Sequence, residues 1–398
     1  MDWETLYCPN RACRCYGMPF SQGLLVKNGS SNGTKQALCR ACGRSISVTH
    51  GTAYFDMEAE PALFELAIRA LAEGNSIHST ARIVEIDKDT VCDWLNRAAH
   101  HCRLVCLSLW QQLHVTECQL DELWSFVHTK EQNVEFAKLW DESYGDAWVW
   151  VAFAPQWRLV LAFVVGKRTQ AEANLLLERV VAASDEHVPF FTSDQLPAYA
   201  TALLHVYGAW HQPERRGDRG RYPAQRRLPL PNLLYAQVVK RRERGIVVEV
   251  SRKVIFGDAT ALEAQLTAST ASTTINTSFV ERDNLSWRQQ NRRLTRKTNG
   301  FSKDLGWMEK QLWLSLAYYH LCLPHRSLRE ALPLPEPTRG SGSPRKWRPV
   351  TPAMAAGMTD HVWSTPELLS YRVPASLVER LETIKHLFPS LDDVHQGN

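Results

Sequence analysis

Between residues 60 and about 108, apolar side chains recur at helical spacing. Leu63, Leu66, Ala67, Ala70 and Leu71 form one stripe, which Gly74-Asn75-Ser76 interrupts. Ser76 is placed to cap a second, short helix running through Val84. Ile86-Asp87 makes a turn, and Val91, Trp94, Leu95 and Ala98 line one face of a third helix. Near residue 115 the pattern changes. Residues 115–128, 147–154 and 158–165, rich in Val, Leu, Phe and Trp, read as three consecutive strands. A helix over Ala171–Ala183, a short apolar strand at Phe190–Ser193 and a helix near 197–206 follow. This order argues for a mixed sheet with helices packed on it.

Residues 211–232 are rich in Arg and Pro and read as loop. Residues 234–242 and 246–256 read as a hairpin with Arg244-Gly245 at its turn. Helices resume near 258, over 276–293 and over 303–321. From about 330 the Pro-, Gly- and Ser-rich composition suggests an irregular tail.

The 398 residues suffice for two or three domains. No run of about 18 apolar residues exists, so no membrane span is expected. The start, MDWETLYCPN, lacks the basic-then-apolar pattern of a signal peptide. A net charge of +4 says little by itself, but its distribution says more. Arg215, Arg216, Arg219, Arg221, Arg226 and Arg227 crowd one stretch, followed by Lys240, Arg241, Arg242 and Arg244. Arg288, Arg292, Arg293, Arg296 and Lys297 form another cluster. Such clusters suit a polyphosphate partner.

Ten cysteines in a long chain of this character point to metal rather than disulfides. Cys8 with Cys13, and Cys39 with Cys42 in CRACG, offer four thiolates for a closed, structural zinc site. Cys15 competes with Cys13 for that role, and free cysteines are the plain alternative. Cys92, Cys102, Cys106, Cys118 and Cys322 read as buried small hydrophobes.

SIHSTARIVEIDKDTVCDWLNRA has the cadence of a helix-turn-helix. Ala81 sits where two helices cross, Ile86 plugs the turn, Asp87 caps the second helix, and Val91 and Leu95 seat it. Lys88, Thr90 and Arg97 would then face a DNA major groove, beside Asp89 and Asp93. A plain helical bundle is the alternative.

Asp121 lies on a strand in VTECQLDELWSFV, Asp194 ends a strand in FFTSDQLPAY, and Glu281 begins a helix in NTSFVERDNL. Phosphoryl transfer needs charge neutralised at the attacking and leaving oxygens, which two hard divalent ions held by carboxylates can do. Among 42 acidic residues any three can be picked, so spacing alone carries little. Asp121 stands out because a carboxylate among apolar neighbours is expensive to bury. Glu122 alternates to the other face of the strand, and Asp185 and Asp283 read as solvated.

These pieces together resemble bacterial insertion-sequence transposases of the DDE class, near the insertion-sequence-one-like group. The matching segments are CPNRAC with CRACG, the helix-turn-helix, LDELWSFV, TSDQLPAY, INTSFVERDNLSWRQQNRRLTRKTNGFSK and LAYYHLCLPHRSLR. In order, they cover most of residues 8–329. The resemblance implies a ribonuclease-H-like core with one acid on the first strand, one just after the fourth and one on a later helix; Asp121, Asp194 and Glu281 match these places. It also implies transposon-end binding by the amino-terminal modules and work as a dimer or larger assembly.

The expected fold is thus multidomain α+β. A zinc ribbon spans 1–55, a helix-turn-helix 56–110, and a ribonuclease-H-like α/β catalytic domain 111–325 with an inserted basic loop and β-hairpin at about 211–256; a tail covers 326–398. The expected activity is DNA cleavage and strand transfer with Mg2+ or Mn2+ held by Asp121, Asp194 and Glu281, and Zn2+ held by Cys8, Cys13, Cys39 and Cys42. Double-stranded DNA is the expected partner, contacted by Lys88, Thr90 and Arg97 and by a face carrying Arg288, Arg292 and Arg296 at helical spacing. For the hairpin and that face, solvated surface is the alternative. His325 is read as a structural histidine or a contact to DNA or metal. The expected location is the bacterial cytoplasm, on the nucleoid. A transposase-derived regulator and a nuclease that cuts without joining are the rival functions.

Overall fold

The computed structural model describes residues 2–138, 144–215, 222–338, 340 and 342–388. Arg216, Arg219 and Arg221 of the basic stretch lie outside them. The chain forms two compact units. One joins the residues up to Leu109 to those from Glu309 on, and the other is Trp110–Met308.

The first unit begins with a small antiparallel sheet, β1 (Leu25–Ser31), β2 (Thr34–Cys39) and β3 (Ser45–Ser47), in that order. Asn32 and Gly33 take φ of 48° and 77° at the β1–β2 turn, the left-handed pair that matches strand twist. Leu6, Leu25, Ala37 and Ile46 pack with Cys8, Cys13, Cys15 and Cys39 into a core of its own. Three helices follow: α1 (Pro61–Ala72), α2 (Ile77–Val84) and α3 (Lys88–Leu109). Ser76 caps α2 by accepting the Ser79 N–H at 3.1 Å. Asp87 accepts the Asp89 N–H at 2.7 Å at the start of α3. The buried face of α1 is Phe64, Ala67, Ile68 and Leu71 rather than the stripe containing Leu66, which is exposed. Two apolar sets overlap at helical spacing here, and the one with the larger side chains turns inward.

The second unit is built on a six-stranded mixed sheet. Its first three strands, β4 (Glu117–Val127), β5 (Gly145–Ala154) and β6 (Leu159–Gly166), form an antiparallel meander in which β5 pairs with both of the others. Then come α4 (Gln170–Ala183), β7 (Phe190–Ser193) and α5 (Pro197–Tyr207). A two-stranded piece, β8 (Gly208–His211) with β9 (Arg226–Pro229), leads to β10 (Tyr235–Glu243) and β11 (Ile246–Phe256). Two helices, α6 (Ala259–Ala268) and α7 (Ser278–Gln290), follow. The strand order is β11-β10-β7-β4-β5-β6, with β7 parallel to both β4 and β10.

The 234–256 hairpin is therefore no separate insertion. Tyr235–Gln237 pair with Phe191–Ser193, so β10 is a strand of the main sheet. Only its far part projects, with Arg244 and Gly245 at φ of 48° and 83° making the expected turn. The sequence shows strong local pairing but not the parallel neighbour, which comes from a segment about 40 residues earlier.

Helix α8 (Leu305–Leu321) runs from the second unit into the first. Beyond it the composition suggests an irregular tail, but through residue 388 the chain is largely built. Strands β12 (Glu330–Glu336) and β13 (Arg345–Arg348) pair, and α9 (Pro352–Ala355), α10 (Thr365–Ser370) and α11 (Ala375–Ile384) follow. Arg372, 5% exposed, donates to the carbonyls of His50, Val48 and Asp2 and to Thr5 Oγ1. The Ala53 N–H donates to the Leu369 carbonyl at 2.9 Å, and His101 Nε2 lies 3.0 Å from the Leu368 carbonyl. This segment completes the amino-terminal unit. Among the described residues, no helix is long and apolar enough to cross a membrane.

Candidate functional site

Two side-chain clusters among the described residues could hold a metal ion: Cys8, Cys13, Cys39 and Cys42, and Asp121, Glu122 and Asp194.

The cysteines come from two turns. Residues 39–44 form a knuckle: the Gly43 N–H donates to the Cys39 carbonyl at 2.7 Å, and Gly43 takes a φ of 72° that glycine accepts freely. Cys8 and Cys42 sulfurs lie 3.7 Å apart, and those of Cys13 and Cys39 3.8 Å. Bonds of about 2.3 Å around a tetrahedral zinc give edges of about 3.8 Å. The pairs are too far apart for disulfides and fit opposite edges of such a tetrahedron. The Arg44 N–H at its sulfur helps hold the Cys42 thiol down at about 7, whereas burial pushes Cys8 up. Cys15 stands outside this group; it is buried in the core, and its N–H donates to Cys13 Sγ at 3.4 Å. Cys102, Cys106 and Cys118 are buried, while Cys92 and Cys322 are partly so.

The acid site lies where β7 ends beside the middle of the parallel strand β4. Gln119 pairs with Thr192, so two residues further on Asp121 stands beside Asp194, just past the end of β7. From β4 the chain leaves toward β5 on one side, and from β7 it proceeds to β10 on the other. Such a switch point at strand carboxyl ends is where open α/β sheets bind ligands.

Helix α7 runs along β4 in step with it. Gln119 Oε1 accepts the Val280 N–H at 3.1 Å, Asp121 Oδ2 accepts from Asn284 Nδ2 at 2.7 Å, and beyond the helix Ser125 Oγ donates to the Arg293 carbonyl at 2.6 Å. Two strand residues advance ~6.6 Å and four helical residues ~6 Å, which keeps the first two contacts in register. The helix start is tied down as well. Asn276 Oδ1 accepts the Ser278 N–H at 3.1 Å and Gln119 Nε2 at 3.2 Å, and Thr192 Oγ1 donates to the Asn276 carbonyl at 3.0 Å.

Glu281 sits about 100° around the helix from Val280, off this line of contact. It is outside the close acidic cluster. Its carboxylate pairs with Lys240 of β10 and accepts from Thr277 Oγ1 at 2.7 Å. Its charge still reaches Asp121. Burial first, and then the negative charges of Glu122, Asp194 and Glu281, push the Asp121 carboxyl up to about 7.

Glu122 joins the cluster although strand alternation assigns it to the other face. β7 stops at Ser193, so the β4 edge has no strand neighbour there and side chains from both faces meet around it. Glu122 is already answered, however: Arg168 pairs with one of its oxygens and Tyr199 Oη donates to the other at 2.9 Å. Burial and Asp194 raise its carboxyl, while Arg168 and Tyr199 oppose the shift.

The basic candidates divide. Lys88 is exposed and pairs with Asp89 at 2.8 Å, and Thr90 is half-buried. Arg97 donates to the carbonyls of Phe55 and Asp56, so its guanidinium serves the fold. Arg288 donates to the carbonyls of Trp124 and Leu294 and is half-buried. The shared helical face of Arg288, Arg292 and Arg296 does not form. α7 ends at Gln290, Arg292 lies in the 3-10 turn Arg292–Leu294, and Asn291 caps that turn through the Arg293 N–H at 3.0 Å. Asp283, read as solvated, is buried. His325 Nδ1 accepts from Ser327 at the turn Arg326–Leu328, the structural reading of that residue.

Asn284, Glu122 and Lys240 are the site residues that sequence reasoning passed over. Asn284 had a signal, since it follows Glu281 by three residues and so shares its side of a helix. All the oxygens around Asp121 are hard donors, the chemistry that suits a divalent cation of the magnesium type. Comparison with known protein families finds no matching family model, and comparison with characterised proteins finds no match.

Proposed function

We propose that this chain is a DNA transposase of the DDE class, cutting insertion-sequence ends and joining them to target DNA. The observation that carries the reading is the convergence of Asp121 within β4, Asp194 just past the end of the adjacent parallel β7, and the start of α7, all remote in sequence. Three antiparallel strands, then a parallel fourth and fifth, with acids on the first strand, after the fourth and on a later helix, is the arrangement expected of a ribonuclease-H-like core.

Asp121 and Asp194 supply carboxylate oxygens for magnesium or manganese, and Glu281 supplies a third once it leaves Lys240. When bound, such ions neutralise charge at the attacking and leaving oxygens of an in-line displacement. The protein's own part is positional. Asn276, Gln119 and Thr192 fix α7 against the two acid-bearing strands, and Arg168 with Tyr199 holds Glu122. Lys240, released from Glu281, faces the DNA backbone. The cysteine module takes zinc as a structural ion, and with the helices of 61–109 it recognises the transposon ends. Joining two ends in concert calls for a dimer or larger assembly on DNA, and the setting is the bacterial nucleoid.

The test is a strand-transfer assay with the flanking terminal repeats and magnesium or manganese. Asp121→Asn, Asp194→Asn and Glu281→Gln are each expected to abolish joining while end binding persists. Joining that survives all three substitutions overturns the assignment. Cleavage without joining by the wild type would instead identify a nuclease.

A further inference from the structure

We propose that Asn284 is an oxygen donor to the coordination shell at the acid site, the second ligand that α7 contributes after Glu281. This rests on the metal-site reading above. Asn284 Nδ2 donates to Asp121 Oδ2 at 2.7 Å. Beside a cation Asp121 is ionised and only accepts, so the amide meets it through nitrogen, as observed, and turns its carbonyl oxygen elsewhere. That oxygen is buried and has no hydrogen-bond partner, in a residue 8% exposed. Leaving an acceptor in this state is destabilising, and an apolar residue of the same size would avoid it. A bound cation or a water in its shell would remove that cost, and amide carbonyl oxygens are ordinary ligands of hard divalent ions.

The neighbours do not compete for the role. Both Glu122 oxygens are engaged, by Arg168 and by Tyr199. Glu281 takes both Lys240 and Thr277 on one oxygen, Oε1, and its carboxylate lies outside the close cluster. Asn284 is already packed against Asp121 and needs no partner exchange to offer its oxygen. It also sits less than one helical turn from Glu281, so one rigid element places both.

The test uses the zinc-loaded full chain and manganese alone, read by electron paramagnetic resonance and by the manganese-dependent shift in melting temperature. Asn284→Leu keeps the volume and removes the oxygen. It is expected to weaken manganese binding at least about tenfold, the scale of lost ligand support, without lowering the melting temperature measured before manganese is added. Asn284→Asp restores an oxygen. It is expected to bind manganese close to wild type and to gain more melting temperature from it, because two adjacent carboxylates repel until a cation joins them. Wild-type binding in Asn284→Leu overturns the proposal. So does a loss in Asn284→Asp equal to that in Asn284→Leu, which would mean the amide acts only through its N–H. If wild-type binding does not depend on Asp121, the metal-site reading fails and this inference falls with it. Asp121-dependent binding that ignores Asn284→Leu overturns the inference alone.

Discussion

Lys240 of β10 and Glu281 of α7 form an ion pair, and Glu281 stands outside the close cluster of Asp121, Glu122 and Asp194. Both side chains are partly exposed, so the pair contributes no more than about 1 kcal/mol. A cation drawn to Glu281 meets the positive charge of Lys240 already at its Oε1. Lys240→Met is therefore expected to tighten manganese binding by up to about fivefold while weakening binding to DNA. A manganese titration of variant and wild type decides this; equal affinities would show that the pair does not compete.

Asp121 makes a prediction about pH. Its carboxyl titrates at about 7 in the folded chain, against about 3.9 in an unfolded one. A group that holds its proton more tightly when folded adds stability that is complete below the unfolded value and is lost as pH rises through the folded one. Without added magnesium or manganese, the second unit should lose stability between about pH 4 and pH 7 from this source. Every tenfold gain in proton affinity on folding corresponds to about 1.4 kcal/mol lost once the proton has gone, so Asp121→Asn should melt higher than wild type at pH 8. Added manganese should erase that advantage. Melting curves at pH 5 and pH 8 with and without manganese check both halves.

The cysteine geometry sets a stoichiometry. One zinc per chain is expected in purified protein, with Cys39→Ser reducing it below one. Because Cys8, Cys13 and Cys39 belong to a core that also holds Leu6, Leu25 and Ile46, metal loss should open residues 2–47 to proteolysis. Metal analysis with limited proteolysis reads both outcomes. A zinc-free module that resists protease would exclude a structural ion.

Arg372 is a buried cation serving acceptors from three places near the amino terminus. Arg372→Met should destabilise the first unit by about 3 kcal/mol or more, because the His50 and Val48 carbonyls lose their donor. The second unit should be spared, so calorimetry would show the two transitions moving apart.

What the sequence made readable was local. Ser76 as a cap and Arg244-Gly245 as a turn depend on neighbours a few residues away, and both are observed. Asp121 and Asp194 were readable because one lies within a strand and the other just past one, and the parallel pairing of β4 with β7 brings them side by side. Glu122 was not, since alternation assigns faces only where neighbouring strands continue, and β7 stops at Ser193. The arginine face failed because Asn291 caps a new turn instead of extending α7. The residues after 330 looked irregular because their order comes from partners such as Val48, 324 positions away from Arg372.

That separation has a consequence for how the molecule is made. Residues 2–109 leave the ribosome long before Arg372 exists, so their unit must wait for its closing segment. Trp110–Met308 holds all its own strands and can close its sheet first. Closing a loop costs more entropy the longer its flexible part, and an insert already folded removes most of that length. The order of completion is then inverted relative to synthesis: the middle of the chain sets first, and the two ends are stitched together last.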